Sequence, residues 1–269
     1  MQLLSNGATI GKKNEFRNSL IYVGGSASSS NTTTTTNSFT ISFGNFGPLI
    51  PGEEVDGVIA TGDIAIVAFA SAATGDLIIN ATASGFTTIA DLYANDTYDV
   101  NLWVGYKILT ETLSQSINVI CNTGSAAFGS AITAQIFRNI NATTPEDVAA
   151  TTLTQTNTGL PNPPSISPIT PNSIIVVVGA NGNIATTDNE LLSNSSLTKV
   201  ISIAGDGANG DVSISMGHVR WTGGVYDPPA FSFSSADSTN NSAASVTIAL
   251  RPQNPLGIFG LNQEAYPAV

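Results

Sequence analysis

The chain has 269 residues, 42% of them hydrophobic and only 10% charged, with 8 Lys and Arg against 19 Asp and Glu and a net charge of −11. That length accommodates one large β-sandwich or two small ones. An acidic surface argues against nucleic acid, which needs a basic footprint, and against anionic membranes, so neither is expected as a partner. Polarity comes from Ser, Thr, Asn and Gly, which suit turns and wet strand faces, while the Lys, Glu and Arg of a solvent-facing helix are scarce. The expected class is all-β.

Met1 to Lys13 has no apolar core of the signal-peptide kind, and no stretch approaches ~18 consecutive apolar residues, so no membrane span is expected. Residues 1–50 are expected to form an extended N-terminal arm. Within it Gly24 to Asn37 (GGSASSSNTTTTTN) has nothing to bury, so its ordering is expected to come from neighbouring subunits. Phe39 to Phe46 (FTISFGNF) alternates and can add a strand to a sheet edge.

Strands follow regularly. Asp63 to Ala70 (DIAIVAFA) is nearly continuous in apolar residues, as a strand covered on both faces requires. Phe86 to Ala90, Val100 to Leu109, Ile117 to Cys121 and Ala131 to Phe137 come next. A connector, Leu160 to Pro171 (LPNPPSISPITP), then breaks the chain, because prolines cannot sit in central strands. After it the pattern restarts. Ser173 to Gly179 matches Asp63 onward at a shift of 110, Ser196 to Val200 matches Gly85 to Ile89 at 111, Asp211 to His218 matches Asp99 to Tyr106 at 112, and Ser245 to Leu250 matches Ala131 to Ile136 at 114. Preserved order and near-constant spacing indicate an internal duplication. The expected architecture is a duplicated, jelly-roll-like β-sandwich, with halves at 51–160 and 161–253 and a C-terminal tail at 254–269.

Ile136 to Asp147 (IFRNINATTPED) resembles a recurring segment of uncharacterised phage-encoded proteins, in which an apolar strand ends in an aromatic-Arg turn and a Thr-Thr-Pro-like run. Thr61 to Ile64 and Pro171 to Val178 resemble that family's Gly-Asp-Leu-Leu strand start, and Ala244 to Pro252 (ASVTIALRP) its final strand. The resemblance spans about residues 58–252, and the order of the segments carries it. It departs at Gly85-Phe86, where such proteins often place Gly-Trp. It implies a virion- or tail-associated protein, localised to the virion, whose partners are other virion proteins and copies of itself. No catalytic residues come with it.

The residues themselves offer little chemistry. His218 is the only histidine and aligns with Tyr106 of the first half, which marks a packing position more than a catalytic one. With Cys121 as the only cysteine, neither a zinc set nor an intrachain disulfide is expected. Glu53, Glu54 and Asp56 follow a Pro-Gly turn and read as solvated carboxylates, although paired acids serve glycosidases. Asp91, Asn95, Asp96 and Asp99, and then Asp206, Asn209 and Asp211, offer hard oxygen ligands before equivalent strands; Ca²⁺ is the one cofactor they suggest. Sequons at Asn80, Asn95 and Asn141 follow from composition. Trp221 to Phe231 (WTGGVYDPPAF) is either a loop capping the core or a sugar-stacking surface. The candidate ligand contacts are Trp103, Tyr106, Trp221 and Tyr226. Two function classes remain: a virion structural protein without enzymatic activity, as capsid decoration or tail component, and a receptor- or carbohydrate-binding tail-tip module that recognises a host surface glycan.

Overall fold

The structure, a computed structural model, describes residues 20–30, 36–42, 59–77, 85–96, 98–110, 116–122, 128–156, 159–183, 191–207, 209–233 and 241–253. Residues 1–19, 43–58 and 254–269 lie outside that set, and with them most of the expected arm, Glu53, Glu54, Asp56 and the whole expected tail beyond Gln253; the Asn80 sequon lies outside it as well. No helix among the described residues is long and apolar enough to cross a membrane.

The protein is an all-β sandwich of two five-stranded antiparallel sheets. The first sheet contains β1 (Ile21–Ser30), β3 (Ile64–Ser71), β4 (Thr87–Ala94), β5 (Val100–Ile108) and β7 (Ser130–Arg138), in the order β1-β7-β3-β5-β4. The second contains β8 (Glu146–Gln155), β9 (Ile174–Asn183), β11 (Thr198–Gly205), β12 (Asp211–Arg220) and β14 (Ala243–Leu250), in the order β11-β12-β9-β14-β8. Two small ribbons pair β2 (Thr36–Ser42) with β6 (Ser116–Asn122), and β10 (Leu192–Ser193) with β13 (Ser232–Phe233). The jelly-roll-like expectation narrows here: one continuous run of chain fills each sheet, whereas a jelly roll alternates strands between sheets.

The two sheets have the same plan, with β8, β14, β9, β12 and β11 standing where β1, β7, β3, β5 and β4 stand. The match extends to single residues. Val67 lies opposite Gly105, and Val177 opposite Gly217. A bulge interrupts β4 between Thr88 and Ala90, and another interrupts β11 between Thr198 and Ile201, where Lys199 has a φ of 50°. Each central strand is entered through a turn closed by a backbone bond, Asp63 N–H to Ala60 O (3.1 Å) and Ser173 N–H to Thr170 O (3.3 Å). Those turns need a left-handed residue, supplied by Gly62 (φ 92°) and Asn172 (φ 67°), the two types that tolerate it best.

One spacing from the sequence is off by a residue. Ala134 and Thr247 face the matched valines Val67 and Val177, so from 134 to 247 the spacing is 113, not 114. In a strand that single step exchanges the faces.

The halves also touch each other reciprocally. Gly129 N–H donates to Gly210 O (2.8 Å), and the matched Ser242 N–H donates to Tyr98 O (3.2 Å). Contacts of this kind are those of a two-fold interface, here within one chain and running along the strands.

Alternate residues of β3 and β9 point inward. Ile64, Ile66, Ala68 and Ala70 meet Ile174, Val176, Val178 and Ala180 in the core between the sheets. The outer faces are buried too. On the first sheet Val67, Phe69, Trp103 and Ile136 join Ile59, Phe86 and Leu109. On the second, Ile175, Val177 and Ala249 are covered by Ile166 of the connector with Leu192, Leu197 and Phe231.

Two strands fall elsewhere than expected. β1 occupies part of the arm, yet it pairs along its length with β7 of the same chain. It closes on its neighbours because it is made of small residues: a methyl group on Gly25 would lie 2.3 Å from Ile201 Cδ1 and 2.7 Å from Ala134 O. β8 lies inside the range expected for the first half but pairs with β14 of the second sheet.

Gly179 occupies the position that Phe69 holds in the first sheet. A methyl group there would stand 2.6 Å from the Phe231 ring and 3.0 Å from Pro161 Cβ, so a loop phenylalanine fills the space that the strand's own side chain fills in the other half. Gly179→Ala is therefore expected to destabilise by roughly 1–3 kcal/mol through overpacking. Phe231→Ala should cost about 3–5 kcal/mol through the cavity it leaves. In the double variant the two costs should fall short of their sum, since the cavity accepts the methyl; urea unfolding of the three variants measures this.

Candidate functional site

The four candidate ligand contacts do not converge. Trp103 is fully buried on the outer face of the first sheet, so it cannot touch a ligand. Its indole lies over Gly105, where an added methyl would be 2.4 Å from Cζ2. Its Nε1–H donates to Thr88 Oγ1 (3.1 Å), and Phe86 stands edge-on at 6.0 Å. Phe86 thus packs against Trp103, the only tryptophan of its half. Tyr106 points the other way and packs on the core between the sheets.

Trp221 and Tyr226 are brought together by one loop after β12. The Trp221 Nε1–H closes it by donating to Gly224 O (2.8 Å), and the Tyr226 amide and carbonyl pair with Ile166 of the connector (2.9 Å each). Both rings pack on the second outer core, and between them Val225 is 68% exposed. The loop therefore caps the core and also presents an apolar tip.

The loops suggested for Ca²⁺ use their best carboxylates internally. Asp99 Oδ1 accepts the Asp96 amide (2.8 Å), while Oδ2 accepts the Tyr93 hydroxyl (2.5 Å) and the Gly75 amide (3.3 Å). At the matched place Asp211 Oδ1 accepts the Gly207 amide (2.8 Å). Each aspartate closes its own turn, a role that explains why both halves have one. Burial, and then the bond to Asp99, raise the Tyr93 hydroxyl above its usual pKa. Asp91 is on β4, opposite Trp103, apart from that turn.

Two ion pairs were not foreseen from the sequence. Arg138, ending β7, forms a two-pronged pair with buried Asp63 (Nε to Oδ1 2.8 Å, Nη2 to Oδ2 2.9 Å). Arg251, in the matched position after β14, pairs with Asp147 (Nε to Oδ1 3.2 Å), because Ser173 stands where Asp63 would be. Burial works to raise the Asp147 carboxyl, but bonds from the Thr170 hydroxyl and amide, the Ile169 amide and Arg251 outweigh it and hold it below the usual range. The arginine repeat at a spacing of 113 was the available signal.

His218 lies between the sheets. Gln135 Nε2–H bonds cross to Lys199 O (2.8 Å) and Met216 O (3.3 Å), at the bulge of β11, where the ladder is interrupted. With its amide hydrogens so used, Gln135 Oε1 is the acceptor for His218 Nδ1–H (3.0 Å), an assignment made from the network. Tyr22 lies against the imidazole at 4.8 Å, and Phe137 stands edge-on at 5.3 Å. Burial, then the charges of Lys199 and Arg220, push its pKa down from 6.5 to about 4.

No protein family, curated protein or solved structure matches the chain.

His218 is neutral in the folded protein well below the pH at which the unfolded chain protonates it. Its effect on stability is nil above pH 7, and stability falls as pH drops from 6.5 to about 4. The loss should amount to roughly 2–3 kcal/mol by pH 4.5 in urea unfolding. His218→Gln should remove most of that dependence. As the only histidine, His218 gives one proton NMR titration, expected with a midpoint below 5; a midpoint near 6.5 would contradict the buried placement.

Proposed function

We propose that the chain is a structural component of a bacteriophage virion, a capsid decoration or tail protein that acts through contacts with copies of itself and with other virion proteins. The observation that carries this reading is that, among the described residues, several of the side chains with chemical capability are bonded into the frame. Asp63 and Asp147 hold arginines, Asp99 and Asp211 close turns, His218 joins the sheets and Trp103 packs a core. Such a chain offers shape and surface more than reactivity. The ordered segments that resemble phage-encoded proteins support the setting.

A receptor- or glycan-binding tail-tip role is the second reading, and the exposed Val225 on the loop that follows Trp221 favours it. The two differ in abundance. Quantitative mass spectrometry of washed particles, with the chain labelled for electron microscopy, should find it in many copies distributed over the head or tail. A few copies at one extremity, with Trp221→Ala abolishing binding to host surface polysaccharide, would favour the second reading. Absence from washed particles would remove both.

A further inference from the structure

The first strand, β1, is attached unevenly. From Gly24 to Ser30 it is Gly, Ser and Ala, bonded in its ladder with β7, with Gly25 lying against Ile201 of β11. Its other end carries the larger side-chain anchors to the second sheet. Leu20 is buried in the core between the sheets, and its carbonyl accepts a bond from Arg220 Nη2 (3.0 Å). Tyr22 lies against His218 and meets Phe137 edge-on at 5.9 Å.

We propose that Tyr22 and His218 form an acid-sensitive latch, in which protonation of the imidazole releases β1 from the second sheet while the remaining strands stay joined. The proton comes from solvent and adds to Nε2, since Nδ1 already carries one for Gln135. The resulting cation is enclosed by Tyr22 of β1, Gln135 and Phe137 of β7, Lys199 of β11 and its own strand, β12. Gln135 and Phe137 carry no charge, and the charges that act on the ring are those of Lys199 and Arg220, both positive. Burial has removed water from the ring, and attraction to the aromatic rings offsets only part of that cost.

The cage must open, and its walls differ in strength. β7 and β12 are interior strands, each bonded to a neighbour on both sides, and β11, itself an edge strand, is tied to β7 at Lys199 by the Gln135 amide (2.8 Å). β1 is an edge strand, bonded on one side only, and its Gly-Ser composition makes it a poor strand former. Displacing β1 rehydrates His218 at the least cost to the rest of the sandwich. Arg220 then loses the Leu20 carbonyl, and the edge of β7 is uncovered.

Hydrogen exchange of the full chain, corrected for intrinsic rates, tests this at pH 7.0 and pH 4.5. Residues 21–30 should lose protection by about tenfold or more at pH 4.5 and exchange well before β3 and β9, whose protection falls no further than the global loss of stability measured by urea unfolding. In His218→Tyr, which installs the side chain found at the matched Tyr106, protection of β1 should not depend on pH; His218→Gln gives the same readout if the larger ring fails to fold. Unchanged protection of β1 in the unsubstituted chain would overturn the proposal. So would exchange of β1, β3 and β9 at one common level of protection, or an equal loss in both His218 variants.

Discussion

The two central strands, β3 and β9, are each covered on both faces, and this double burial governs the rest of the structure. A sheet of five strands that hides both sides needs a layer above and a layer below. Each half supplies the inner layer for the other. Ile64, Ile66 and Ala68 have no cover but the second sheet, and Ile174, Val176 and Val178 have none but the first. Neither half can therefore keep its apolar residues from water alone. The reciprocal bonds of Gly129 with Gly210 and of Ser242 with Tyr98 follow from two like surfaces meeting around one axis.

The inner faces stay alike, whereas the outer faces diverge. In the first sheet the outer layer is built from the strands' own large side chains, Phe69, Trp103 and Ile132. The matched positions in the second sheet hold Gly179, Ser215 and Ser245. There the volume is returned by the connector and by Phe231, which arrive from loops. The exchange leaves the hydroxyls of Ser215 and Ser245 buried without hydrogen-bond partners, a cost the first half does not bear at those places. Divergence concentrates where a loop can compensate, and is least where a second sheet must fit.

Much of the frame was legible because central strands announce themselves. The runs at Ile64 and Ile174 are apolar without interruption, and their repeat carries the neighbouring strands along with it. Two of the four edge strands, β1 and β8, were not legible. β1 pairs by virtue of small size at Gly25, and β8 (EDVAATTLTQ) is half-wet with little apolar alternation, so neither has the pattern that marks a strand. Composition alone also fails to separate a buried tryptophan from a surface one. Trp103 and Trp221 look alike in sequence; only Gly105, two residues beyond Trp103 on the same face, hints that an indole lies flat along the sheet there. The role of His218 as packing was readable from its match with Tyr106, but its bond to Gln135 joins strands 83 residues apart and leaves no local trace.

The claim that the halves form one cooperative body has a direct test, because each half holds one tryptophan. Trp221→Phe leaves Trp103 as the reporter of the first sheet, and Trp103→Phe leaves Trp221 for the second. With midpoints corrected for each substitution's own effect on stability, far-ultraviolet circular dichroism and the fluorescence of each variant should follow a single urea transition with the same midpoint. Two separated transitions, one per tryptophan, would show that the sheets fold independently and would contradict the shared core.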